Sequence, residues 1–150
     1  NNNNNNNNNN NMRATVVARQ LLSCRYQWRR RTLHRLFSTN PSDDLVQTTI
    51  DESTGVATLL MNRPPVNSLS LELCQAISQS IKEIEATKAQ GLVLASAVPK
   101  ILSAGLDLTE LYSPDMERLP EFWSSFQQLF LDLYGSRLAT VAAIEGHAPA

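Results

Sequence analysis

The stretch best suited to chemistry is Leu102-Ser103-Ala104-Gly105-Leu106-Asp107-Leu108-Thr109-Glu110. Ala104 and Gly105 carry almost no side chain, so a ligand can come close to the backbone there. A turn that opens a helix also leaves N–H groups free, which suits an anion or a developing negative charge. Asp107 and Glu110 stand three apart, the spacing of a capping box. Each carboxylate could also be cast as an acid–base group. Glu110 then competes with a reading as a cap reaching back to Asp107, and Asp107 with a reading as an N-cap. Glu145 and His147 could be cast as a base and a carbonyl-polarising imidazole, but read more simply as a structural turn and a loop histidine. Cys74 has no histidine near it in sequence to activate it and reads as a buried helix residue.

These residues need a scaffold. Residues 45–50 alternate in polarity as a strand does, 51–55 read as a turn, and 56–61 read as a second strand, which together make a hairpin. Pro64 and Pro65 stop sheet pairing. Ser70 is a candidate N-cap for a helix carrying Leu73, Ile77, Ile81 and Ile84, with Gly91 expected to end it. Leu92–Ala95 is a wholly apolar run, as a strand covered on both faces would be. A short helix near Leu108–Tyr112 and a polar connection follow. A helix over 121–134 comes next, with Phe122, Phe126, Leu129, Phe130 and Leu133 expected in the core. Leu138–Ile144 reads as another strand. Strands alternating with helices predict an α/β layer. The last strand has no helix after it, so the chain is expected to be the N-terminal portion of a longer protein.

Charge divides the chain. All fourteen acidic residues lie at or after Asp43, whereas seven arginines lie before it. From residue 40 onward there are six basic and fourteen acidic side chains, a net −8, which argues against nucleic-acid binding. Residues 1–11 are an asparagine tract that can bury no core and reads as disordered or an artefact. Residues 12–39 hold seven arginines, no acid and interspersed apolar residues, the signature of a mitochondrial transit peptide, with cleavage expected after Phe37. Residues 40–150 are left as the folded part. One cysteine there, Cys74, allows no internal disulfide, which suits a reducing compartment such as the mitochondrial matrix. No apolar run is long enough to span a membrane.

Three motifs in order carry a resemblance: Asn62-Arg-Pro-Pro-Val-Asn67-Ser-Leu-Ser-Leu71, Leu102–Glu110, and Ala143-Ile-Glu-Gly-His-Ala148. From about Leu45 to Ala150 the chain resembles the enoyl-CoA hydratase/isomerase (crotonase) superfamily, and the first two motifs are most similar to its isomerase branch. The resemblance implies an α/β, crotonase-like ββα spiral, incomplete here because its C-terminal part is missing. It implies an acyl-CoA substrate held at Ala104, Gly105, Leu106, Asp107 and Leu108, with the Leu106 N–H as one donor of an oxyanion hole. Arg63 could reach a CoA phosphate, although it also reads as an ordinary exposed loop arginine, and Asn67 and Ser68 would lie on the CoA-proximal loop, although a turn explains that pair equally well. The second donor and the catalytic Glu would follow Ala150. The implied reaction is isomerisation of 3-enoyl-CoA to trans-2-enoyl-CoA in β-oxidation of unsaturated fatty acids, with no metal or other cofactor and a homotrimer as the full-length assembly. The alternatives are an enoyl-CoA hydratase and a non-catalytic protein of the same fold. Leu102 stands where many relatives have Phe, and Lys100-Ile101 where Gly is common.

Overall fold

The computed structural model describes residues 45–112 and 114–149. The expected asparagine tract, transit peptide and cleavage site lie outside the described residues.

Strand β1 (Val46–Asp51) and strand β2 (Val56–Met61) form the expected antiparallel hairpin, in register from Val46–Met61 to Asp51–Val56. Its turn is closed by Asp51, whose carboxylate accepts from the Ser53 N–H and hydroxyl, and by Gly55 at φ +69°. Helix α1 (Leu71–Glu85) follows, and Ser70 caps it as expected: its side chain accepts from the Leu73 N–H. Strand β3 (Gly91–Ser96) pairs parallel to β2, and strand β4 (Ala139–Ala142) pairs parallel to β3. The sheet order is β1-β2-β3-β4. Helices α2 (Thr109–Tyr112) and α3 (Leu119–Tyr134) lie in the crossover between β3 and β4.

The core forms where the period-2 face of β2 meets the period-3.6 face of α1. Ala57, Leu59 and Met61 of β2 are buried with Leu73, Ile77, Ile81 and Ile84 of α1 and Leu92 of β3. Helix α3 packs along α1. The Lys82–Asp132 ion pair and the Gln75–Glu121 hydrogen bond fasten the two.

Three local expectations need correction. Helix α1 ends at Glu85, and Gly91 instead begins β3. The Thr87 hydroxyl takes the Ile84 carbonyl, and Arg137 donates to the carbonyls of Glu85, Thr87 and Ala89, so the helix end is satisfied from 50 residues away. Phe130 is not core: it is 63% exposed and stacks on Tyr134, while Phe122 and Leu129 are buried. In β3, Leu92 and Val93 are buried but Leu94 and Ala95 only half so, and β4 is a four-residue strand exposed throughout. No helix among the described residues is long and apolar enough to cross a membrane.

Candidate active site

Strands β2, β3 and β4 run parallel, so the loops leaving their carboxyl ends gather on one side of the sheet, where open α/β sheets bind ligands. These loops are the three motif segments. Segment 62–70 follows β2, segment 97–108 follows β3, and segment 143–149 follows β4.

The first two segments are cross-linked along their length. Asn67 is fully buried at φ +50°, a conformation that asparagine tolerates better than most residues. Its Oδ1 accepts from the Arg63 N–H at 2.7 Å, and its Nδ2 donates to Ser96 Oγ at 2.8 Å and to the Leu102 carbonyl at 2.9 Å. Its carbonyl accepts from the Ser103 hydroxyl at 2.8 Å. One side chain therefore joins the end of β2, the end of β3 and the approach to the small-residue turn. Farther along, the Ala104 N–H donates to the Val66 carbonyl, the Leu69 N–H to the Gly105 carbonyl, and the Asp107 N–H to the Leu69 carbonyl.

Of the four N–H groups from 104 to 107, three are thus committed: Ala104 and Asp107 to backbone, and Gly105 to Ser103 Oγ at 3.1 Å. The Leu106 N–H donates to no group of the described residues. Its direction follows from peptide geometry. In a planar trans peptide the N–H points opposite to the C=O. The Gly105 carbonyl is drawn to the Leu69 N–H at 2.8 Å, so the Leu106 N–H faces away from segment 66–69. Gly105 at φ +84° provides the backbone conformation that allows this.

Asp107 is buried, and both its oxygens are engaged. Oδ1 accepts from the Thr109 N–H and hydroxyl, which caps α2, and Oδ2 pairs with Arg63 at 2.7 Å. Burial alone would raise this carboxyl, but the Thr109 hydrogen bonds and the Arg63 charge outweigh it and hold it below the usual carboxylate range. Asp107 therefore caps the helix as expected, with no proton to offer near neutral pH. Arg63 donates its second arm to the Ser68 carbonyl at 3.1 Å, so its guanidinium is occupied by the loops themselves.

Glu110 does not reach back to Asp107. Its carboxylate accepts from the Leu71 N–H at the start of α1 and from Arg118, which also pairs with Glu72. The Arg118 hydrogen bonds overcome partial burial and lower the Glu110 carboxyl, which makes it a brace between α1, α2 and α3. Cys74 lies beneath, and burial, with the Glu110 and Glu72 charges, pushes its thiol up to about 11, leaving it protonated and inert at neutral pH.

The third segment joins through its backbone. His147 and Ile101 form a parallel bridge: the His147 N–H donates to the Lys100 carbonyl, and the Leu102 N–H to the His147 carbonyl. Gly146, at φ +98°, passes so close that a Cβ would sit 2.1 Å from the Lys100 oxygen. The side chains of Glu145 and His147 are exposed. No group of three or more His, Cys, Asp or Glu residues arranged to hold a metal occurs among the described residues. The buried Asn67 hub and the Arg118 brace are what sequence reasoning missed. The visible signal was small hydroxyls, Ser96 and Ser103, flanking the end of an apolar strand.

Residues 51–150 match the enoyl-CoA hydratase/isomerase family. The chain is 43% identical over 97 residues to mouse mitochondrial enoyl-CoA delta isomerase 1, covering 64% of this chain and 34% of that protein. Human mitochondrial methylglutaconyl-CoA hydratase is 30% identical over 98 residues, with 64% and 29% covered. The crystal structure of human mitochondrial delta3-delta2-enoyl-CoA isomerase superposes with a TM-score of 0.68 at 39% identity, over 71% of this chain and 42% of that one. The chain thus spans about a third of the length of the curated relatives it matches and holds part of the crotonase fold. With the family match over two thirds of its length and the three motif loops gathered on one side of the sheet, the chain belongs to the enoyl-CoA hydratase/isomerase family.

Proposed function

We propose that this chain supplies half of the oxyanion hole of a mitochondrial Δ3,Δ2-enoyl-CoA isomerase. The observation that carries the reading is the Leu106 N–H, without a partner among the described residues and aimed by its neighbours in a turn where every adjacent N–H is committed. The substrate would be a 3-enoyl-CoA thioester lying against Ala104–Leu108, in contact with the backbone more than with side chains. Removing a proton from C2 sends the electron pair into a dienolate, and negative charge grows on the thioester oxygen. Reprotonation at C4 leaves the double bond between C2 and C3. A donor already in place costs no reorganisation when that charge appears, and losing one costs roughly 3–4 kcal/mol. The second donor and the carboxylate that carries the proton are assigned to the part of a full-length protein outside this chain, and no metal or redox cofactor is needed for the proton transfer. Identity of 42–43% with three mammalian mitochondrial isomerases supports the isomerase reading over the hydratase one, and supports mitochondrial location. A trimer and a matrix address are part of the same proposal.

The test is turnover of a 3-enoyl-CoA by a full-length protein carrying this segment. Gly105→Val places a β-branched residue at φ +84° and is expected to lower kcat/KM about a hundredfold with the fold retained. Hydration of a 2-enoyl-CoA without double-bond migration would sink the isomerase reading. Isomerisation by the 150-residue chain alone would show that the base lies within it.

A further inference from the structure

The guanidinium of Arg63 sits at the head of a chain of hydrogen-bonded peptides that ends at Leu106. Its Nη1 donates to the Ser68 carbonyl at 3.1 Å. That carbonyl belongs to the same peptide as the Leu69 N–H, which donates to the Gly105 carbonyl at 2.8 Å. The Gly105 carbonyl in turn belongs to the same peptide as the Leu106 N–H. Two peptide planes thus lie in series between a fixed positive charge and the unpaired N–H. A cation on the first carbonyl draws electrons from that peptide and sharpens its N–H as a donor, and the next peptide responds in the same sense. Such cooperative strengthening is roughly 10–30% per bond.

The other arm of the guanidinium, Nη2, holds Asp107 at 2.7 Å, the residue next to Leu106 on its C-terminal side. The Arg63 backbone is itself tied, its N–H to Asn67 Oδ1 and its carbonyl to the Asn67 N–H. Arg63 therefore grips both sides of the Leu106 turn from an immobilised base. A planar fork can hold two acceptors at once, whereas an ammonium on a flexible stem is a point charge.

We infer that Arg63 is a positioning residue for the reaction. It orients the Leu106 N–H through Asp107 and strengthens it through the Ser68–Leu69 and Gly105–Leu106 peptides, and it does not bind a phosphate of the substrate. The inference rests on the reading of Leu106 as an oxyanion donor. A donor that acts on charge developing in the transition state affects kcat, whereas a phosphate ligand affects KM in a salt-dependent way.

The experiment uses a full-length protein carrying this segment, with steady-state kinetics and the thioester carbonyl stretch of a bound 2-enoyl-CoA. Arg63→Gln is expected to lower kcat about tenfold, leave KM within about twofold and raise the carbonyl frequency as the donor weakens. Arg63→Lys, which keeps the charge but not the fork, is expected to lie between Arg63→Gln and the parent in both readouts. If Arg63→Gln does not fold, Arg63→Lys decides alone: a lowered kcat at unchanged KM supports the inference, and an unchanged kcat overturns it. A raised KM with kcat preserved, growing with salt, overturns it in favour of a phosphate ligand. A parent protein that does not isomerise 3-enoyl-CoA defeats the reading of the site itself, separately from the role of Arg63.

Discussion

Two regions of this molecule are held together by different forces. Between β2 and α1 the contacts are apolar: the side chains of Leu59, Leu73, Ile77 and Ile81 are sealed from water and form no hydrogen bonds of their own. At the carboxyl ends of the strands the contacts are polar and directional, from Asn67 to Ser96, Leu102 and Ser103, and from Arg63 to Ser68 and Asp107. Apolar packing is tolerant of direction and rewards area. A hydrogen bond is worth only about 1 kcal/mol net but specifies orientation. The first region supplies stability, and the second uses part of it to hold one N–H in a fixed direction.

Single substitutions in a full-length protein carrying this segment should pull the two regions apart. The largest loss of stability is expected from Leu59→Ala. Removing a fully buried leucine should cost about 3–4 kcal/mol, read as a lowered denaturant midpoint, while kcat of the folded fraction stays within about twofold. A large fall in kcat would mean that the apolar region aims the site as well. Asn67→Ala is expected to cost somewhat less, about 2–3 kcal/mol, by leaving buried partners unpaired. Its kcat should fall at least tenfold, because the turn loses its alignment. Unchanged kcat would show that the backbone bridges suffice without the side chain.

The smallest effect is acid sensitivity. Asp107 and Glu110 are both held below the usual carboxylate range in the folded state. Their contribution is therefore fully present above the ordinary carboxylate value of about 4 and is lost as pH falls through the lower folded values. Asp107→Asn should flatten the acid limb of the stability profile, measured as the denaturant midpoint from pH 6 down to pH 3. An unaltered limb would show that the Arg63–Asp107 pair does not contribute to it.

What was legible in the sequence follows the same division. The hairpin, the Ser70 cap and the Leu73–Ile84 face all came from local periodicity and local chemistry, and the structure has them. Partners far along the chain were not legible. Helix α1 was expected to run to Gly91, but Arg137 closes it at Glu85. Glu110 has the spacing of a capping box with Asp107, yet its carboxylate serves Leu71, 39 residues earlier, and Arg118. Phe130 shares the period of Phe122 and Phe126, but periodicity cannot tell how wide a stripe the neighbouring helix will cover. At the site, the small-residue turn was readable as Ala104-Gly105, whereas Leu106 as its donor came only from the family resemblance. The buried Asn67 hub was not readable, since an asparagine after Pro64-Pro65 reads as an ordinary turn residue.

The alternation of committed and free N–H groups along the turn has a consequence for hydrogen exchange. Amides that donate within the fold exchange only when the structure opens, and local openings can be far more frequent than global unfolding. Ala104, Asp107 and Leu69 are donors across the two loops, so their exchange times how often the loops part. Leu106, flanked by protected neighbours, has no such bond among the described residues. A ligand that takes its proton into a hydrogen bond would slow that one amide without altering the pattern around it. The turn thus carries its own occupancy gauge at single-residue resolution.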